Sequence, residues 1–232
     1  EIVMGPGGPV GITPLGEIDC ALELAGRDIT LATYGDLLRV PGTKGSLESS
    51  SGDVRVVQGV HKAVEIARGQ EKEVVFISVG FETTAPTVAA TLLADPPENF
   101  SLLSFHRLVP PAMRWLLSRG EAKLDGFILP GHVCTVSGYT EYERFPVPQV
   151  VAGFLPEDIL LGLLVLLRQA RAGEHRVENA YPRAVCREGN PKAKEAMYRV
   201  FEPCDAEWRG LGLIPGSGVK IRPPYADYDA RL

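Results

Sequence analysis

The feature that most constrains this chain is a recurring alternation. Short apolar runs rich in β-branched residues are separated by stretches with helical spacing. The runs are Ile29–Tyr34, Val54–Gln58, Val74–Val79, Phe100–Phe105, Gly126–Leu129 and Gln149–Ala152. They show little inside–outside alternation, as strands covered on both faces do. Between them, Ile18–Leu24, His61–Arg68, Thr87–Leu93, Pro111–Ser118 and Asp158–Ala172 carry apolar residues at helical intervals. A strand–helix repeat of this kind predicts an α/β fold with mostly parallel, doubly wound sheets.

A chain of 232 residues is long enough for two small lobes. The polar stretch 42–53 reads as a loop, and a lobe boundary is expected between about residues 58 and 72. The expected division is residues 1–65 as a first lobe, 66–176 as a second, and 177–232 returning to pack on the first. That last segment is expected to hold a helix over Pro191–Val200, a short strand near Leu211–Pro215 and a Pro-rich end. The longest apolar stretch, Ile159–Leu167, is too short to span a membrane and is expected to be a buried helix. The net charge of −5 argues against nucleic-acid backbone as a partner. Neither nucleic acid nor membrane is therefore expected as a partner. Cys20, Cys134, Cys186 and Cys204 form no C-x-x-C pair, which points to reduced thiols, a cytoplasmic location and no metal site of their own.

In open α/β sheets ligands gather at the carboxyl ends of strands, so the loops there carry most weight. The first candidate is Gly5-Pro6-Gly7-Gly8-Pro9-Val10-Gly11, whose glycines permit tight turns and expose backbone N–H groups. It has neither the Lys-Ser/Thr of a P-loop nor the G-x-G-x-x-G register. The second places Glu82, Thr83 and Thr84 after a strand and before a helix. Helix capping would use one threonine and leave Glu82 unexplained. The third and fourth put His106 and His132 at strand ends, while His61 and His175 read as solvated. The fifth, Ala152–Asp158, opens the long helix, and Asp158 suits its N-terminus. Cys134, two residues beyond His132, reads as a small buried residue rather than an activated thiolate.

Taken in order, GPGGPVGITP (5–14), GDLLRVPG (35–42), VVFISVGFETTAPT (74–87), FHRLVPPAMR (105–114), PGHV (130–133), VVAGF (150–154), VEN (177–179), GNPKA (189–193) and EWRGLGLIPGSG (207–218) resemble the HypD family of hydrogenase maturation proteins from end to end. The resemblance implies two Rossmann-like lobes around a shared cleft. It implies a scaffold on which the Fe(CN)2CO unit of NiFe hydrogenases is assembled with a HypC-like chaperone and a HypE-like cyanide donor. It also implies a [4Fe-4S] cluster held by a cysteine-rich region, with a CGTH-type motif ahead of Glu1 and the cluster region beyond Leu232. The family's first loop reads GPGCPVC, and the two cysteine positions are Gly8 and Gly11 here. Glycine supplies no thiolate, so no metal ligand is assigned there. Leu155 stands where the family usually has Glu, with Glu157 nearby, and connections such as Tyr139–Phe145 are shortened. On this reading Glu82, Thr83, Thr84, His106 and His132 line the cleft, and Gly5, Gly7, Gly8 and Gly11 bring backbone close to the iron unit. Two other readings stay open. One is a cysteine-depleted member that docks partners or small anions without metal. The other is an enzyme on the same scaffold, using Glu82 and a histidine as acid–base groups on a small anion.

Overall fold

The computed structural model describes residues 2–5, 7–120 and 123–231. Pro6 of the glycine-rich loop lies outside the described residues. The described chain divides into two units, one of residues 1–108 with 196–232 and one of residues 109–195.

In the first unit, strands β1 (Thr30–Thr33), β2 (Asp53–Val56), β3 (Val74–Gly80) and β4 (Phe100–His106) form a parallel sheet in the order β2-β1-β3-β4. Every residue of β1, β3 and β4 is buried, because helices cover both faces. On one face Ala32, Val74, Phe76, Phe100 and Leu102 pack against α2 (Val60–Arg68) and α3 (Ala85–Leu93). On the other, Leu31, Val75, Ile77 and Leu103 meet α1 (Leu15–Ala25), Leu37 of the turn after β1, and Leu47 of the polar loop. The strand order reverses between β1 and β3, so the switch point of this sheet lies at the ends of those two strands.

In the second unit, β5 (Phe127–Pro130), β6 (Gln149–Ala152) and β7 (Val177–Asn179) are parallel and lie in sequence order. Helix α4 (Val109–Arg119) sends Met113 and Leu117 into the core formed by Leu129, Cys134, Tyr142, Phe145, Val151 and Val185. Helix α6 (Pro156–Ala172) covers the opposite face, seated closely because Gly162 lies over Ala152. A short helix α5 (Gly131–Ser137) follows β5, and α7 (Pro191–Val200) leads back to the first unit.

Both sheets and their covering helices match the α/β, Rossmann-like expectation. Four details differ from the sequence reading. A boundary near residue 65 would cut the first sheet, since β3 and β4 pair with β1 and with each other; the division falls instead after Leu108. The segment beyond Pro191–Val200 is a long antiparallel hairpin, β8 (Phe201–Trp208) and β9 (Gly212–Ile221), not one short strand. Phe201, Val219 and Ile221 of this hairpin close the first core. Ile2–Met4 form no strand and are exposed, so the first glycine-rich loop is not a strand end. Finally, the run Ile159–Leu167 is not a buried helix: Ile159, Leu160, Leu161, Leu164 and Leu167 all face solvent.

Candidate functional site

The parallel register of β3 and β4 sets Ser78 opposite Ser104 and Gly80 opposite His106. His106 is buried, and each ring nitrogen meets a serine hydroxyl: Nε2 lies 3.1 Å from Ser78 Oγ and Nδ1 2.9 Å from Ser104 Oγ. Tyr34, the residue after β1, shares a hydrogen bond with Ser78, so the network reaches the switch point. Burial, and to a lesser degree the neighbouring Arg107 guanidinium, hold the His106 pKa down at about 3. The imidazole is therefore neutral, packed beside the Phe201 ring, with its polar atoms already engaged.

Gly80 ends β3 beneath this network. A Cβ there would fall 1.6 Å from Thr84 Oγ1 and 3.2 Å from the His106 ring, so only glycine lets the chain turn under Thr84. The Thr84 hydroxyl donates to the Phe81 carbonyl (3.2 Å) and does not cap α3. Within this turn Glu82 is buried, Thr83 exposed and Thr84 half-buried. Phe81 stacks on Trp208 of the hairpin, whose Nε1 donates to Ser217 Oγ at 2.8 Å.

Arg107, unweighed in the sequence, is a second anchor. It is buried, and Nη2 reaches Glu17 Oε2 at 2.9 Å and the Glu207 carbonyl at 2.8 Å. Burial pushes the Glu17 carboxyl up, with Arg107 opposing. Glu17 opens α1, directly after the glycine-rich loop, so Arg107 ties that loop's exit to β4 and the hairpin. The loop itself turns at Gly8-Pro9-Val10-Gly11, closed by the Gly11 N–H donating to the Gly8 carbonyl at 3.0 Å. Gly5, Gly7, Gly8 and Gly11 are exposed. Gly7 needs its positive φ of 86°, whereas a Cβ on Gly8 would meet nothing within 4 Å.

The second unit holds His132. Exposed on α5, its ring lies 4.1 Å from that of Phe154. Two glycines hold the surrounding loops close. A Cβ on Gly131 would strike the Ala152 carbonyl and the Tyr181 ring, and one on Gly153 would strike Asp158 and Tyr181. Asp158 is buried and accepts from the Leu155 N–H and from Arg183, whose guanidinium lies over Tyr181. The Arg183 hydrogen bond holds the Asp158 carboxyl below its usual range. Tyr181 and Arg183 were not apparent from sequence because they follow a three-residue strand in a polar turn.

The four cysteines occupy α1, α5, the turn after β7, and β8. Burial pushes the Cys20 and Cys204 thiols up, and Cys134 is buried. Among the described residues no three His, Cys, Asp or Glu side chains form a group able to hold a metal ion. These residues do not fit a [4Fe-4S] cluster, which takes four thiolates.

A family model named HypD and described as the hydrogenase formation hypA family matches residues 1–232. The chain belongs to the HypD family. It is 44% identical to hydrogenase maturation factor HypD2 of Bradyrhizobium diazoefficiens, over 100% of this chain and 66% of that protein. It is 42% identical to a putative hydrogenase expression/formation protein of Methanocaldococcus jannaschii, over 98% and 66% respectively. With hydrogenase maturation factor HypD of Escherichia coli the identity is 41%, over 99% and 65%. The chain thus spans about two thirds of the length of the curated relatives it matches. No helix of the described residues is long and apolar enough to cross a membrane.

Proposed function

We propose that this chain is a maturation scaffold of the HypD type, holding an Fe(CN)2CO unit as cargo while HypC-like and HypE-like partners dock on it in the cytoplasm. The observation that carries the reading is the family match across residues 1–232, with the matching motifs falling in the turns that end β3, β4, β5 and β6. In this reading Glu82, Thr83 and Thr84, in the turn after β3, line the cargo site. Backbone N–H groups of Gly7 and Gly8 donate to the cyanide and carbonyl ligands. His106 acts by positioning: neutral and bonded to Ser78 and Ser104, it fixes the end of β3 from which the Glu82 turn departs.

A second reading rests on Gly8 and Gly11. Without thiols there, the chain docks the same partners but neither binds iron nor relays electrons. The test is affinity purification from cells supplied with HypC-like and HypE-like proteins, followed by iron analysis after anaerobic reconstitution. Co-purification of the partners with iron supports the scaffold reading, and co-purification without iron supports the second. If neither partner is retained, both readings fail.

A further inference from the structure

Helix α6 covers its sheet with Asp158, Gly162 and Gln169 and turns leucines outward. Leu160 and Leu164 are each 66% exposed and Leu167 is 54% exposed, far from the few per cent typical of a core leucine. Their positions follow a regular rule. Glu157, Leu160, Leu164, Leu167 and Arg171 succeed one another at intervals of three, four, three and four residues. At 3.6 residues per turn this places all five within about 80° of the helix circumference, the spacing of a helix–helix seam. All five are exposed.

The seam is self-complementary. Its acidic end is Glu157, its basic end is Arg171, and Leu164 lies midway between them. A second copy of the same helix, laid antiparallel about a two-fold axis at Leu164, brings Glu157 of each copy to Arg171 of the other. It also sets Leu160 beside Leu167 and covers Leu164 with its own counterpart. Such isologous pairing is the commonest way for a surface patch to be satisfied by an identical molecule. A parallel pair would put like charges together at both ends, so the charges select the antiparallel arrangement.

We infer that the outward face of α6 is a homodimer interface, occupied by α6 of a second copy of this chain in antiparallel orientation. One helix face buries less than the roughly 800 Å² per partner of a standard stable interface. The association is therefore weak and of the transient class. It does not rest on the cargo reading, which assigns no role to any of these five residues.

Sedimentation velocity across about 5–500 μM should show a concentration-dependent shift from monomer to dimer in the 232-residue chain. Leu164→Asp should keep the fold, since the position faces solvent, and leave a monomer throughout. Glu157→Arg should weaken the dimer, as should Arg171→Glu, and the two together should restore it, which a non-specific apolar contact would not do. In a Cys186→Ser background, Leu164→Cys should cross-link two copies through a short bis-maleimide, in a yield rising with concentration. A chain that stays monomeric across the range overturns the inference, as does a dimer unaffected by Leu164→Asp. Protection of Leu164→Cys from a maleimide that is independent of concentration also overturns it. That outcome would mean a segment of the same chain, or a different protein, covers the stripe.

Discussion

The serines around His106 and its burial have a consequence that can be measured as stability. The ordinary histidine pKa is 6.5 and the folded value is about 3, so between these limits the unfolded chain binds a proton that the folded chain does not. Stability is full above pH 6.5 and falls as pH drops below it, by up to about 1.4 kcal/mol per pH unit from this group. Urea unfolding at pH 7, 6 and 5 should show that decline, and His106→Asn should flatten it even if the variant is less stable at pH 7. A His106 imidazole, assigned by its loss in His106→Asn, that titrates near 6.5 by NMR in the folded protein would refute it. Gly80 makes a second prediction at this scale. Gly80→Ala drives a Cβ into Thr84 and should cost about 1–3 kcal/mol by overpacking, and Thr84→Gly in the same chain should recover most of that loss. If Gly80→Ala alone unfolds at the parent's midpoint, the turn is looser than described. Neither residue's partners were legible in the sequence. Ser78 and Ser104 sit in ordinary buried strands, and only the register of β3 on β4 brings both to one imidazole.

At the scale of elements, the strands that were legible are those carried by short, largely apolar runs between turn residues and helical stretches. The hairpin was hidden because its strands do not look like strands. Pro203 and Asp205 interrupt β8, while Pro215, Gly216 and Gly218 interrupt β9, and the pairing carries an irregularity between Cys204 and Ala206 to accommodate them. Helix α6 misled for the opposite reason: with nearly every position from Ile159 to Leu167 apolar, periodicity has no contrast to show which face is outward. The Gly8–Gly11 turn was legible as a turn, and its geometry supports a prediction about the family's cysteine positions. The two glycines are first and last of a hydrogen-bonded four-residue turn, whose ends lie within about 7 Å, the range a disulfide can span. Gly8→Cys with Gly11→Cys should therefore fold with an unchanged midpoint and form a reversible disulfide, counted by thiol titration before and after reduction. A variant whose two added thiols both remain reactive under mild oxidant would show that the turn holds them apart.

Over the whole molecule, the order of the chain and the order of the units disagree, and this decides which pieces can stand alone. Residues 109–195 are continuous and carry their own core, from Met113 to Val185, under α4, α5 and the β5–β7 sheet. The first unit is discontinuous. Its sheet is complete by His106, yet one face of that sheet shares a core with Met197, Val200, Phe201, Val219 and Ile221. Burying five such side chains contributes roughly 10 kcal/mol at about 2 kcal/mol each, comparable with the entire stability of a typical domain. Residues 1–108 expressed alone should therefore fail to fold cooperatively, exposing the Phe76 and Phe100 face and binding a hydrophobic dye. A chain in which a short flexible linker replaces residues 110–190 should recover a cooperative thermal transition, because the helix end and hairpin return to that face. Residues 109–195 alone should unfold cooperatively, with near-ultraviolet dichroism from Tyr142. If 1–108 proves as stable as the linked chain, the hairpin is an appendage rather than part of the core.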